Sequence, residues 1–460
     1  METEVRGDLR NSSESHLERT MKIRGLLIAA AVFAVLAGTL YWSDHHKPST
    51  SVEASADSPP PILHLDEAAI TQLEIKKKAA PPIVLVKPAS GSWQITQPKP
   101  LGADQSTVSS TLSTLSSLNS ERLVEEKAAD LKRYGLDSPA LQVNLTGKDN
   151  KTQSLLIGDD TPTGSAVYAM LAGQPRIFTM ASYNKSSLDK TLDDLRDKRL
   201  LTIPADKMSR IELIRKSQAM EFGRNQDVWQ ILKPRPLRAD NVQVTELASK
   251  LADARMDLGS TSADPAKNAA TFAHASPVAT AKITAPSGAQ QIEVRKNKDD
   301  YYAKSSVVDG VYKVGADLGH AVEERLDDFR NKKLFDFGFA DPARIEIRSG
   351  AKNYVFTRKG EDWQSNNAKP DSDTVQSLVS KLRALAASKF VDSGFAGPSV
   401  ELAVTSEDGK RVERVLISKS GNRAIARREN EPAQYELEPG AVDDLLKAAD
   451  EVNPAVPSKK

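Results

Sequence analysis

The sequence predicts an α+β protein: an N-terminal single transmembrane helix followed by three repeated, mostly antiparallel α+β modules. Three observations carry this. Residues 25–42 read GLLIAAAVFAVLAGTLYW, without charge or proline, just long enough to span a bilayer. WQITQPKPLGAD at 93–104 and WQILKPRPLRAD at 229–240 share eight of twelve positions at an offset of 136, and LDDLRDKRLL at 192–201 and LDDFRNKKLF at 326–335 share six of ten at 134. Two separate stretches at nearly equal offsets mark a repeat. A third copy shows in Trp363-Gln364, in Pro370 seven residues beyond the tryptophan, and in Val442-Asp443-Asp444-Leu445.

The elements follow in chain order. Residues 1–24 are a polar cytoplasmic segment, with Met21 as a second candidate start before Lys22-Ile23-Arg24. Arg19, Lys22 and Arg24 precede the apolar run, and Asp44, His45 and His46 follow it. The positive-inside rule then places the N-terminus in the cytoplasm and the bulk of the chain outside, with Tyr41 and Trp42 as interfacial aromatics. A cleaved signal peptide is the rival reading. Leu36-Ala37-Gly38 could serve as a small-residue site, but the apolar run continues through Trp42. Ala30, Ala34 and Gly38 have the small-residue spacing of closely packed membrane helices, but they read as an alanine-rich span in which that spacing arises by chance. Residues 43–61 form a Ser/Ala/Pro tether ending in Pro59-Pro60-Pro61.

The modules are expected at residues 62–204, 205–340 and 341–452, with a tail at 453–460. Each opens on an alternating strand pair: Leu73/Ile75, Ile211/Leu213 or Ile345/Ile347. A second strand carries Val84/Val86, Met220/Phe222 or Tyr354/Phe356, and the tryptophan strand follows. An acidic residue then marks a helix start, at Asp104, Asp240 or Asp373, where a carboxylate can accept first-turn N–H groups. The helix spacing is Val108/Leu112/Leu115, Val244/Leu247/Leu251 and Val375/Leu378/Leu382. Further strands follow Pro139, Pro277 and Pro398. A second helix carries Leu188/Leu192/Leu195, Val322/Leu326/Phe329 or Val442/Leu445. With two helices packed on each sheet, the class is α+β.

Composition limits the chemistry. Lys+Arg 63 against Asp+Glu 62 gives a net charge of +1, which argues against nucleic acid as a partner. Cysteine is absent, so disulfides, thiolate metal sites, Cys nucleophiles and lipoprotein acylation are excluded. The six histidines are His16, His45, His46, His64, His274 and His320. None stands in a metal-ligand spacing, and no phosphate-binding loop, nucleophile elbow or dinucleotide fingerprint occurs. No catalytic, cofactor or metal residue is therefore assigned, and no cofactor is expected. His45-His46 reads as a solvated linker pair. Asp159 and Asp160 beside Gly158 read as a hairpin turn. The Leu-Asp-Asp motif reads as an amphipathic helix with Asp194–Lys198 and Asp328–Lys332 pairs on its outer face. Trp93, Trp229 and Trp363 read as core residues, with a sugar-stacking platform as the alternative.

The membrane run MKIRGLLIAAAVFAVLAGTLYWS, WQITQPKPLGAD, Tyr134-Gly135-Leu136 before Pro139, LLIGDDTPTGSAVYA and LDDLRDKRLL resemble a bacterial family, domain of unknown function 4340. The resemblance covers residues 21–450 and is weakest in the third module. It implies a membrane-anchored envelope protein, encoded beside an ABC-type export system similar to that associated with gliding motility. It carries no catalytic residues. The expected function is a non-catalytic accessory protein in the cytoplasmic membrane, extracytoplasmic in bulk. Its expected partners are the membrane and an ABC-type permease and ATPase. Alternatives are an independent glycan- or protein-binding module and a hydrolase with a carboxylate site between modules.

Overall fold

The computed structural model describes residues 61–452 except 64, 90, 217, 260–263 and 366–369. The expected cytoplasmic segment, membrane span, most of the tether, His16, His45, His46, His64 and the tail lie outside the described residues. Among those described, no helix is long and apolar enough to cross a membrane. They fall into two compact units, one ending at Asp197 and the other beginning at Lys198.

Three antiparallel sheets account for the strands, the first in the earlier unit and the other two in the later. In spatial order the first sheet runs Leu101–Gly102, Gln94–Gln97, Ile83–Val86, Ile70–Lys77, Leu141–Gly147, Thr152–Asp160, Ala166–Leu171, Ile177–Ala181 and Arg122–Glu125. The second runs Leu237–Arg238, Val228–Lys233, Gln218–Asn225, Arg210–Arg215, Ser276–Ala285, Gly288–Asn297, Asp300–Ser305 and Val311–Val314. The third runs Asp362–Gln364, Lys352–Lys359, Arg344–Ser349, Val400–Thr405, Val412–Ser420, Arg423–Arg428, Gln434–Leu437 and Ala387–Val391. Each sheet holds two meanders that start side by side at its centre and run outward in opposite directions; in the first and third sheets the strand after the helix, Arg122–Glu125 or Ala387–Val391, is added at the far edge. The helix between them is the crossover.

The first module has α1 (Gln105–Ser116), α2 (Ser182–Leu188) and the short α3 (Leu192–Leu195). The second has α4 (Asn241–Ala252), α5 (Pro265–His274) and α6 (Ala316–Glu323), and the third has α7 (Ser372–Ala384) and α8 (Ala441–Asp450). α1 packs with α2, α4 with α6 and α7 with α8. Each pair covers the sheet face that carries the alternating apolar residues. Leu73, Ile75, Val108 and Leu115 share one core; Ile211, Leu213, Val244 and Leu251 a second; Ile345, Ile347, Val375 and Leu382 a third. Burial of that stripe, rather than helix propensity, holds these short helices in place.

The opposite face is covered differently in each module. In the first, Tyr134, Leu136, Met170 and Ile177 form a small second cluster. In the second, α5 lies there, with the Arg295 guanidinium 4.5 Å from the Phe272 ring centre. In the third, Arg427 stacks on Phe395 at 5.3 Å.

Several details depart from the sequence reading. On Ile83–Val86 the core residues are Ile83 and Leu85, not Val84 and Val86. All four residues are apolar, so periodicity cannot phase the strand; its register against Leu73 and Ile75 does. The second helix is broken in the first two modules. Leu188 ends α2, and Leu192 and Leu195 belong to α3. Val322 lies in α6, and Leu326–Asp328 is a separate 3₁₀ turn before Phe329. In the third module Asp371, not Asp373, caps the helix, accepting the Asp373 N–H at 2.8 Å. That helix begins nine residues after its tryptophan, against twelve after Trp93 and Trp229. Leu200, Leu201 and Ile203 pack in the second core, and Leu334, Phe335 and Phe337 in the third.

Candidate functional site

The tryptophans occupy matching places. Trp229 and Trp363 pair with Arg224 and Arg358 of the neighbouring strand, and Trp93 directly precedes the corresponding strand of the first sheet. Their exposures are 6%, 2% and 1% in chain order, so no ring face is open to a sugar. Trp363, whose next alternate residue is Ser365, is the most buried. The helix start fixes the first two rings. Gln105 Oε1 accepts the Trp93 N–H at 2.8 Å, and Asn241 Oδ1 accepts the Trp229 N–H at 3.0 Å.

Asp159 and Asp160 end the strand Thr152–Asp160, and Thr161 N–H donates to the Ala166 carbonyl at 2.8 Å to close the hairpin. Gly158 is the informative residue of this group: a Cβ there would lie 2.0 Å from the Tyr134 carbonyl oxygen. The Tyr134-Gly135-Leu136 turn and the Ile157-Gly158-Asp159 strand therefore meet backbone to backbone.

The Leu-Asp-Asp motif is a connector rather than an amphipathic helix. Asp194 closes a capping box, its carboxylate accepting the Thr191 N–H at 2.8 Å; Asp328 accepts the Arg325 N–H at 2.8 Å. The helical spacing expected to link Asp194 with Lys198 and Asp328 with Lys332 is absent, because the chain is extended at Arg196 and the 3₁₀ turn ends at Asp328. Arg196 and Arg330 are instead buried, and ion pairs run three residues back to Asp193 at 3.8 Å and Asp327 at 2.9 Å. After Arg196, Asp197 N–H donates to the Gly102 carbonyl at 2.8 Å, and after Arg330 the chain bridges twice. Asn331 N–H donates to the Arg238 carbonyl at 3.0 Å, and Ala387 N–H to the Lys332 carbonyl at 2.8 Å. The match at residues 442–445 is not equivalent: it forms the first turn of α8, where acidic side chains suit the helix N-terminus.

The Asn331–Asp336 stretch joins the second and third modules, and a charged network surrounds it. Arg238 Nη1 pairs with Asp336, Nη2 donates to the Lys333 carbonyl at 2.5 Å, and Nε lies 3.0 Å from Glu431 Oε1. Arg428 Nε reaches the same Glu431 oxygen at 2.8 Å, and its Nη1 lies 3.3 Å from Glu413 Oε2. Glu413 also accepts the Asp336 N–H at 2.8 Å and lies 3.0 Å from Arg411. Tyr435 donates to Glu431 Oε2 at 2.6 Å. Three guanidiniums meet three carboxylates, so the cluster carries no net charge. Burial alone would lower the Arg238 pKa, but Asp336, Tyr435 and Glu431 hold it above the usual guanidinium value. Burial raises the Tyr435 phenol, and the bond to Glu431 adds to this against the opposing charge of Arg238.

Beside this network lies a groove of about 260 Å³, bordered by Gln230, Arg238, Arg330, Phe390, Glu431 and Tyr435. Arg330 sits 3.4 Å above the Phe390 ring centre and closes its floor. Each junction carboxylate oxygen already has a cationic or hydrogen-bonding neighbour. These contacts position the Asn331–Asp336 connector against the second and third modules. Among the described residues no His, Asp or Glu cluster could hold a metal ion. Sequence reasoning missed this site, although it left a signal. At the repeat offsets Arg238 replaces Gly102 and Asp336 replaces Thr202, so both ends of the ion pair change together.

The family model described as "Domain of unknown function (DUF4340)" matches residues 93–230 and 229–402, about two thirds of the chain. The chain belongs to this family. The two matches to the DUF4340 model begin at Trp93 and Trp229, the same point of successive repeats. No curated protein matches the chain. Among solved structures it is similar to a DNA polymerase sliding clamp from Pseudomonas aeruginosa with ligand, at 6% identity and a TM-score of 0.16, over 82% of this chain and 94% of that one. The DNA polymerase III subunit beta of the same organism gives 6% identity and 0.16 over 84% and 93%. At such scores the likeness carries no argument.

Proposed function

We propose that this DUF4340 protein is a membrane-anchored, extracytoplasmic accessory protein whose three modules form a binding arm that docks on an ABC-type transport complex or another envelope complex. The observation that carries the binding role is the commitment of Asp336, Glu413 and Glu431 to guanidinium and hydrogen-bond partners. Carboxylates held this way serve as a joint between modules. A hydrolase would need one left free to exchange a proton. The uncharged run at 25–42 and its basic flank support the anchor and the outward orientation. A second reading, an independent glycan- or protein-binding module, draws on Phe339. This side chain is 98% exposed, on a loop whose Gly338 and Phe339 carbonyls accept from Arg383 at 2.8 and 3.1 Å.

Purification of the full chain from detergent tests the docking. A polytopic permease and an ATPase in the eluate are expected; their absence favours the independent module. A reporter fused after Lys460 should work only if it functions outside the cytoplasm. Activity of a cytoplasm-only reporter would overturn the orientation, and a mature chain starting near Thr39 would overturn the anchor.

A further inference from the structure

At one end of the second sheet, the end of strand Arg210–Arg215, the start of strand Ser276–Ala285 and the C-terminal end of α6 enclose a groove of about 560 Å³. Its charged lining is Arg215, Lys216, Lys296 and Arg325 against the single carboxylate of Glu323, with Gln218 and Ser276 as further donors. Glu323 is already engaged: Tyr301 donates to its Oε2 at 3.0 Å, and Lys296 Nζ lies 3.7 Å from its Oε1. Arg215 Nη1 donates to the Glu323 carbonyl at 2.6 Å, which quiets the negative end of α6. Arg325 Nε lies 3.6 Å from Asp328 but stays 83% exposed. Among the described residues Lys216 makes no ion pair. Burial lowers the Arg215 pKa against the opposing charges of Asp328, Glu323 and Glu324.

We propose that this groove binds a phosphate-bearing anion. Four cationic side chains and the polar Gln218 and Ser276 border one cavity, more donor capacity than the two oxygens of a carboxylate can use. A phosphate presents three or more strong acceptor oxygens and up to two charges, which suits a site built from two guanidiniums and two ammonium groups. A lipid headgroup and a soluble phosphate share this chemistry. The inference rests on the second module's geometry and stands or falls separately from the anchored-arm reading.

Calorimetric titration of the full chain in neutral detergent tests it, with pyrophosphate, short-chain phosphatidylglycerol and short-chain phosphatidylcholine as probes. Saturable pyrophosphate binding is expected, weakened about tenfold or more in the Lys216→Gln/Arg325→Gln double variant. Lys447→Gln, on the third module, should leave it unchanged. Glu323→Gln should tighten it by removing the one carboxylate in the lining. Phosphatidylglycerol binding that competes with pyrophosphate identifies a headgroup site; pyrophosphate binding alone identifies a soluble ligand. No saturable binding, equal affinity in the double variant, or citrate binding as tightly as pyrophosphate overturns the proposal.

Discussion

The side chain of Asn241 holds the backbone of Trp229: its Oδ1 accepts the tryptophan N–H at 3.0 Å, twelve residues back in the chain. Gln105 does the same for Trp93 at 2.8 Å and also donates to the Trp93 carbonyl at 2.9 Å. In the first two modules the residue that starts the crossover helix thus fixes the strand carrying the buried ring. Helix and strand register are set by one contact.

Trp229→Ala should destabilise the second module by about 3–5 kcal/mol, the range for emptying a large aromatic site. Trp363→Ala should fall in the same range, because that ring is 1% exposed. Urea unfolding of the purified variants checks this. An unchanged midpoint for Trp229→Ala would refute the core role and reopen the sugar-stacking reading.

Gly158→Ala adds a single methyl group, yet its Cβ would meet the Tyr134 carbonyl oxygen at 2.0 Å. Backbone stands on both sides, so relief requires the Tyr134-Gly135-Leu136 turn to move off the sheet. A loss of about 1–3 kcal/mol is expected, as for overpacked interiors. Gly164→Ala, where a Cβ meets nothing within 4 Å but φ is +72°, serves as a comparison and should cost about 1 kcal/mol. A smaller loss at Gly158 than at Gly164 would contradict the close backbone contact.

The repeat, the tryptophan cores and the caps at Asp104 and Asp240 were legible because each is a local pattern. Alternation marks a strand, a carboxylate before an apolar stripe marks a helix start, and identity at a fixed offset marks a repeat. What stayed hidden depends on contacts between distant segments. Ile83 and Leu85 face inward only because of pairing with Ile75 and Leu73. The loss of three residues before α7 moves its cap to Asp371 while Pro370 keeps its apparent match. Arg238 and Asp336 meet across 98 positions of sequence; Arg238 sits in the tryptophan motif at a position where the copies differ, and Asp336 lies just past the end of the Leu-Asp-Asp motif.

Asp104 supplies a pH dependence. Burial pushes its pKa up, but hydrogen bonds from Ser106 and Thr107 outweigh this and hold it below the usual aspartate value. A carboxyl with a lowered folded-state pKa contributes stability above the unfolded-state pKa, and that contribution fades as pH falls through the folded-state value. The first module should therefore lose stability below about pH 4. Asp104→Asn keeps a side-chain oxygen that can cap, so it should flatten this acid-side slope more than it lowers stability at neutral pH. Thermal melts of both proteins from pH 3 to pH 7 (about the full carboxylate range) check the sign. A slope in Asp104→Asn equal to that of the parent would rule out the cap as its source.

The Arg238–Asp336 pair is best judged by a double-mutant cycle, because each partner alone leaves charge behind. Asp336→Ala leaves Arg238 only the Glu431 carboxylate, whose oxygen it shares with Arg428, and also removes the acceptor of Asn331 Nδ2, which donates at 3.1 Å. Arg238→Met leaves Asp336 near Arg428 at 3.9 Å, so part of its compensation survives. The aspartate change should therefore be the more damaging. Arg238 and Asp336 keep 20% and 32% of their side-chain surface in water, so solvent screens the pair and the full cost of a broken buried bridge does not apply. Asp336→Ala should cost about 1–3 kcal/mol and Arg238→Met less. The double variant Arg238→Met/Asp336→Ala should cost less than the sum of the two, since removing both charges leaves neither unpaired. The loss should also appear as earlier protease cleavage within residues 331–336, where the third module is joined to the second. Strict additivity in the cycle would show that the pair does not couple the modules and that the connector alone holds them together.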